Sequence, residues 1–376
     1  MADKAVNGQS TAVAVIDLSS GKTIAAAGEK NPLIPASVMK AVTVGSLMNE
    51  VDDDTRYRTE VFIDGPVRDG ILEGNILVVG SGDPSLNSRH EPLSENICKE
   101  ITEALRQRGV KSVAGRIITD GAIFPGPAVP PSWAKADLST YYGTGIHGLN
   151  FEDNASGRNS VPNPAAVFES RLKSSLASAG ITIDSRAVPQ GDRTLLVEHV
   201  SPQIYEIMRS CMMRSDNMFA ESLLRTYALR RGEPGTTERA ARLETDYWKE
   251  RGLPMEGVTI VDGSGLSRSN RLTAAFLAAV LTEMADNVEY ASFFPLAGQE
   301  GTLKKFLADT PLETYIALKT GSMNGIQCYA GYKVDEDFAP THAVVVIGNS
   351  FPSSRAAFRQ AVETMLLEIF ADDTDN

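Results

Sequence analysis

The sequence predicts an α+β protein built on an antiparallel sheet covered by helices. Two short apolar runs near the N-terminus, TAVAVID (11–17) and KTIAAA (22–27), are separated by SSG, which suits a hairpin with one buried face. Three strand-like runs near the C-terminus, ETYIALK (313–319), QCYAGYK (327–333) and HAVVVIG (342–348), follow one another with turns between them. Hairpin succession of this kind implies antiparallel pairing. Helical patterns fill much of the remainder, and 376 residues are enough for two or three domains, or for one large domain carrying an insertion.

In chain order, the opening hairpin leads through Pro35 into a helix from about Ser37. From Ser37 to Met48 every residue but Lys40 is uncharged and most are apolar, as expected of a helix buried on all sides. Residues 56–64 and 71–79 are predicted strands. Residues 91–110 carry apolar side chains at 93, 97, 101 and 105 and close at Gly109, which predicts an amphipathic helix. Residues 115–120 form a strand. The stretch 121–163 is rich in Gly, Pro, Ser and Asn but also holds Trp133, Tyr141, Tyr142 and Phe151, so it is expected to be an ordered loop. A helix over 165–180 and strands over 181–188 and 194–200 follow. Ser201 and Pro202 then suit the N-cap and first position of a helix. It breaks at Ser215-Asp216-Asn217 and resumes to Gly232, and a helix over 353–370 ends the pattern. No internal repeat is present.

Composition excludes several classes of function. A formal charge of −12 argues against a general nucleic-acid binder. Much of the acidity is local, in VDDD (51–54) and ADDTDN (371–376), expected as solvated surface. No apolar run reaches the length of about 18 residues that marks a membrane span. Cys98, Cys211 and Cys328 form no C-x-x-C pair, and His90, His147, His199 and His342 no H-E-x-x-H, so neither a zinc site nor a dense disulfide framework is expected. His342 opens an apolar run and suits a structural role. The N-terminal MADKAVNGQS is short and polar, unlike a secretion signal.

Lysine is rarely buried without a partner, so Lys40 needs a reason. S-x-x-K alone is weak evidence, since it occurs four times, at Ser19/Lys22, Ser37/Lys40, Ser132/Lys135 and Ser170/Lys173. Only Ser37/Lys40 combines a helix start with apolar surroundings, and three-residue spacing puts both side chains on one helical face. Ser215-Asp216-Asn217 occurs once, at a helix break. Lys319-Thr320-Gly321 occurs once, at the end of a predicted strand. S-x-x-K, S-D-N and K-T-G in that order form the signature of class A β-lactamases and penicillin-binding proteins.

The residue types suit acyl transfer. A serine hydroxyl needs a base to become a nucleophile, and lysine is that base only when its pKa falls well below about 10.4. Desolvation lowers it, and a second cation such as Lys319 acts in the same direction. Ser37 is then the expected nucleophile and Lys40 its base. Ser215 relays a proton toward the leaving amine, and Asn217 hydrogen-bonds the substrate amide. Lys319 and Thr320 hold a substrate carboxylate. The N–H groups of Ser37 and Ser322, the latter next to Gly321, form the oxyanion hole.

With these motifs in place the sequence resembles the low-molecular-mass class C penicillin-binding proteins, the type-4-like D-alanyl-D-alanine carboxypeptidases. GNILVVGSGDPSL (74–86), RSDNMFAESLLR (214–225), DGSGLSRSNRLT (262–273) and LKTGSMNGIQCYAGY (318–332) extend the resemblance over most of the chain, most weakly at 87–160. GSGDP lacks the spacing of a phosphate-binding loop, and DGSGL is not a G-x-S-x-G nucleophile elbow.

The resemblance implies a β-lactamase/transpeptidase-like domain with a large inserted α/β domain. Lys40 and Ser215 are 174 residues apart (41 to 214), room enough for it. The expected division is residues 1–51 and 196–376 for the peptidase domain and 52–195 for the insertion. It further implies carboxypeptidase action on peptidoglycan stem peptides through an acyl-enzyme on Ser37, inhibition by β-lactams, no cofactor or metal, and an extracytoplasmic location with any signal removed. Endopeptidase action on cross-links, β-lactamase activity and a catalytically silent wall-binding protein are the alternatives.

Overall fold

The computed structural model describes residues 10–90, 96–351 and 353–371. Strands β1 (Thr11–Asp17) and β2 (Thr23–Ala27) form the opening hairpin, and a 3-10 turn at Ala36–Val38 leads into α1 (Met39–Met48). There follow β3 (Arg58–Ile63), β4 (Val67–Arg68), β5 (Ile71–Leu72), β6 (Ile76–Val79), α2 (Ile97–Gln107), β7 (Ser112–Val113) and β8 (Ile117–Asp120). Next come β9 (Ala155–Ser156), β10 (Asn159–Ser160), α3 (Pro164–Ser178), β11 (Thr182–Ile183) and β12 (Thr194–Val200). The chain continues with α4 (Ile204–Arg214), α5 (Asn217–Arg230), α6 (Thr237–Glu250), α7 (Ala274–Glu283) and α8 (Val288–Ser292). It closes with β13 (Ile316–Met323), β14 (Ile326–Val334), β15 (Pro340–Asn349) and α9 (Arg355–Ile369).

The five-stranded sheet runs β13–β14–β15–β1–β2 with every neighbouring pair antiparallel. Its central strands alternate between two cores. Ala343, Val345 and Ile347 face the helices of the larger core, while Val344 and Val346 face Phe358, Val362 and Leu366 of α9. Burial on both faces is why HAVVVIG is continuously apolar rather than alternating. All ten residues of α1 are buried, Lys40 among them, which accounts for its featureless pattern.

A second hydrophobic cluster draws on residues from Val61 to Leu196, including faces of α2 and α3. Two mixed four-stranded sheets flank it, β12–β3–β6–β8 and β11–β7–β5–β4.

Several sequence expectations need correction. The single strand expected over 71–79 is two, β5 and β6, in different sheets. Ser201 does not cap α4: its hydroxyl accepts from Tyr57 N and donates to the Pro202 carbonyl, and Gln203 is the N-cap instead. The strand expected over 181–188 is reduced to β11. Lys319-Thr320-Gly321 lies inside β13, which continues to Met323, rather than at a strand end. The loop over 121–163 is ordered but contains the small β9–β10 hairpin. Helices α6 and α7 carried no sequence assignment, and residues 91–95 of the amphipathic helix and 372–376 of the acidic tail lie outside the described residues.

Candidate active site

Ser37, Lys40, Ser215, Asn217, Lys319, Thr320, Gly321 and Ser322 come together beside the inner edge of β13. Ser37 sits in the 3-10 turn that enters α1, preceded by Ala36 at φ 47°, a left-handed conformation costly for a residue with a Cβ. Lys40 projects from the first turn of α1. Its Nζ lies 3.1 Å from Ser37 Oγ, 2.6 Å from Asn217 Oδ1 and 2.8 Å from the Ser264 carbonyl oxygen. The lysine is fully buried, and burial lowers its pKa. The acidic neighbours Asp216 and Asp262 act in the opposite direction.

Ser215 caps the end of α4 in the left-handed conformation, φ 61°, and the next residue, Asp216, accepts from Phe219 N to cap the start of α5. The unique S-D-N is thus both a helix-to-helix joint and a site element. Its Asn217 is committed at both ends, with Oδ1 on Lys40 and Nδ2 donating to the Tyr142 carbonyl at 2.8 Å.

Lys319 is fully buried and donates to the carbonyl of Thr320 at 2.9 Å, so it does not line the cleft. Burial first, and then repulsion from Lys40, hold its pKa well below the ordinary lysine value. Thr320 pairs hydroxyls with Thr302, and Ser322 donates to Gln327 Oε1. Gly321 packs on the Ser37 turn: a Cβ there would stand 2.8 Å from the Pro35 carbonyl oxygen and 3.0 Å from Ser37 N.

Two cavities meet at Ser37, Ser215 and Ser322. One, of about 560 Å³, extends past Thr302, Thr320 and Tyr329 to Arg355 and Arg359. The other, of about 730 Å³, runs between Tyr141, Tyr142 and Asp137 on one side and Gly265, Arg268 and Asn324 on the other. Among the described residues no group of three or more His, Cys, Asp or Glu is arranged to hold a metal ion, and all three cysteines are free and buried.

The loop 262–270 is the part of the site that motif reasoning missed. Asp262, fully buried, accepts from Gly265 N, Ser267 N, Asn270 Nδ2 and, from the 121–163 loop, Trp133 Nε1. Gly265, at φ +78°, leaves no space for a side chain, since a Cβ would fall 1.9 Å from the Ala36 carbonyl oxygen. The signal was present in DGSGLSRSN, where closely spaced Gly, Ser, Asp and Asn mark a tight, self-bonded loop.

Comparison with known proteins places these features in a family context. The model described as "D-Ala-D-Ala carboxypeptidase 3 (S13) family" matches residues 1–159 and 154–366. The carboxypeptidase DacB of Mycolicibacterium smegmatis is 28% identical over 368 residues, covering 91% of this chain and 77% of that protein. Penicillin binding protein 4 (dacB) of Haemophilus influenzae superposes with a TM-score of 0.84 at 20% identity, covering 98% of each chain. Its complex with a β-lactam superposes at 0.77 with 21% identity, covering 96% of each.

Proposed function

The chain belongs to the D-Ala-D-Ala carboxypeptidase 3 (S13) family, and from that membership we propose that Ser37 is the nucleophile and Lys40 the general base of its serine D-Ala-D-Ala carboxypeptidase reaction on peptidoglycan stem peptides. The observation that carries this is the set of atoms around Lys40 Nζ. Asn217 Oδ1 and the Ser264 carbonyl can only accept hydrogen bonds. A neutral amine has two N–H groups and one lone pair. With both N–H groups committed to those acceptors, the lone pair faces Ser37 Oγ at 3.1 Å. Burial favours the neutral form this requires.

Ser37 Oγ gives its proton to Lys40 and bonds to the penultimate D-Ala carbonyl carbon. The N–H groups of Ser37 and Ser322 receive the oxyanion. Collapse breaks the C–N bond, and the proton returns from Lys40 through Ser215 to the leaving amine. Water then releases the peptide from the ester by the reverse proton path. Thr320 binds the terminal carboxylate, with buried Lys319 contributing its field from behind the strand. A β-lactam amide acylates the same serine.

The cavity beyond Thr320 exceeds what one leaving alanine fills, which favours endopeptidase action on cross-links as a second reading. We further assign residues 52–195 as the inserted domain, supported by the separate core from Val61 to Leu196, and an extracytoplasmic place of work. Among the described residues no helix is long and apolar enough to cross a membrane.

Intact mass after incubation with a penicillin tests the nucleophile. One adduct on the wild type and none on Ser37→Ala is the expected result, and an adduct persisting in the variant would assign the nucleophile elsewhere.

A further inference from the structure

Glu221 lies one turn beyond Asn217 on α5 and is fully buried. Its Oε1 accepts from Gly263 N at 3.0 Å and from Ser264 N at 2.8 Å. These two amides belong to the loop whose Ser264 carbonyl accepts from Lys40. The other carboxyl oxygen, Oε2, is buried with no hydrogen-bond partner. A buried polar atom without a partner is costly, and its retention one peptide away from the general base calls for a reason.

We propose that Glu221 is a positioning residue for the general base, fixing the Ser264 carbonyl as the acceptor that directs the Lys40 lone pair toward Ser37. The inference rests on the reading of Lys40 as the base. Lys40 has only two obligate acceptors, and Asn217 supplies the first from α5 itself. The second comes from a loop peptide, which has no regular secondary structure to hold it. Two N–H bonds to a single carboxyl oxygen pin that peptide's plane, and with it the direction of its carbonyl. One helix thus positions both acceptors, Asn217 directly and Ser264 through Glu221.

The group acts in its neutral form. An ionised Glu221 would place a buried anion beside Asp262, with Glu244 also within its field, an arrangement that the Ser264 side chain and backbone donors only partly offset. Arg225 opposes this repulsion, and Lys40 lies within reach of the same field. Burial and Asp262 together push the Glu221 pKa up to about 8. A neutral carboxyl keeps Oε1 as a double acceptor while adding no charge that would hold Lys40 protonated.

The test is the rate of Ser37 acylation by a penicillin, per titrated active site, between about pH 6 and 10, on the wild type, Glu221→Gln and Glu221→Met. Glutamine keeps the acceptor without a charge. Methionine fills similar volume without an acceptor. The expected result is that below about pH 8, where Glu221 is neutral, Glu221→Gln stays within about 3-fold of the wild type with its acid limb in place. Glu221→Met loses about 100-fold in the acylation step, the order expected of a misdirected catalytic group, with little change in initial penicillin binding. Its acid limb also moves to lower pH, because the ammonium form of Lys40 loses more than the neutral form when an acceptor is removed.

Wild-type rate and limb in correctly folded Glu221→Met would overturn the proposal and leave Glu221 a structural residue. An equal limb shift in both variants would overturn it in favour of an ionised counter-charge. If Glu221→Met does not fold, Glu221→Gln decides alone: wild-type rate and limb support the neutral acceptor, and a shifted limb overturns it. Absence of any Ser37 adduct on the wild type would remove the underlying reading, and this inference with it. That result is distinct from the others because it appears before any Glu221 variant is made.

Discussion

Gly321 of β13 lies against the backbone of Ser37, so close that a Cβ would sit 3.0 Å from Ser37 N and 2.8 Å from the Pro35 carbonyl oxygen. Backbone atoms cannot swing aside as a side chain can. Gly321→Ala therefore separates β13 from the turn and widens the gap between the Ser37 and Ser322 amides. Acylation by penicillin should fall about 100-fold, the order seen when one oxyanion donor is lost. The melting temperature should drop by only a few degrees. A wild-type acylation rate in this variant would remove the Ser37/Ser322 pair as oxyanion donors.

Asn217→Asp should move the acid limb of the acylation profile to higher pH. The present partner of Lys40 at 2.6 Å is a neutral amide oxygen. A carboxylate at that position favours the ammonium form and raises the Lys40 pKa. The substitution also removes the donor to the Tyr142 carbonyl. Acylation rates from about pH 6 to 10 are the measurement, and an unmoved limb would argue that Lys40 is not the titrating base.

Burial of Lys40 and Lys319 makes stability depend on pH in a fixed direction. Both pKa values lie below the ordinary 10.5 in the folded protein, so below that value the unfolded chain binds protons that the folded one resists. Stability is present above about pH 10.5 and is lost as pH falls through the lowered folded values. Lys40→Met removes one such group. The stability of the variant minus that of the wild type should therefore shrink between about pH 7 and pH 10, by on the order of 1 kcal/mol. Urea unfolding at the two pH values checks this, and a constant difference would contradict the depressed pKa.

Glu244 behaves oppositely. Buried on α6, it accepts from Ser46 on α1, its Oε2 has no partner, and burial raises its pKa to about 8. A carboxyl with a raised folded pKa contributes stability below its unfolded value near 4.5, and that contribution is lost as pH rises through about 8. Glu244→Gln should accordingly gain stability relative to the wild type as pH rises across that window, by on the order of 2 kcal/mol at its upper end. Thermal melting at about pH 5 and pH 8 would show the trend, and a gain that does not grow with pH would speak against a protonated Glu244.

The parts of the fold legible in the sequence were those carrying a strong local signal. β1, β2, β14 and β15 stood out as apolar runs between turns, and α1 as an apolar helix with one charge. α6 and α7 were not read from the sequence although both carried such cues, an N-cap at Thr236 with Gly252 closing one and an N-cap at Thr273 opening the other. The division of 71–79 was hidden because Gly74 and Asn75 send consecutive apolar residues into different sheets, a tertiary choice with little local trace. All eight motif residues converge, since short motifs preserve the geometry that chemistry needs. The motifs did not reveal that the committed partner of Asn217 is a carbonyl from the 121–163 loop, or that a buried carboxyl stands behind Ser264. Those are long-range contacts between residues that no spacing rule connects.

The Lys40 amine meets Asn217 across 177 residues of sequence and Ser264 across 224. Contacts at such separations form late, after the entropy of closing the intervening loops has been overcome. Ser37 and Lys40 precede both acceptors in the sequence, so the base lacks its full set until Ser264 has been made. A nascent or truncated polypeptide ending before Ser264 therefore carries the nucleophile without the means to activate it. Activation of the nucleophile therefore waits for tertiary closure.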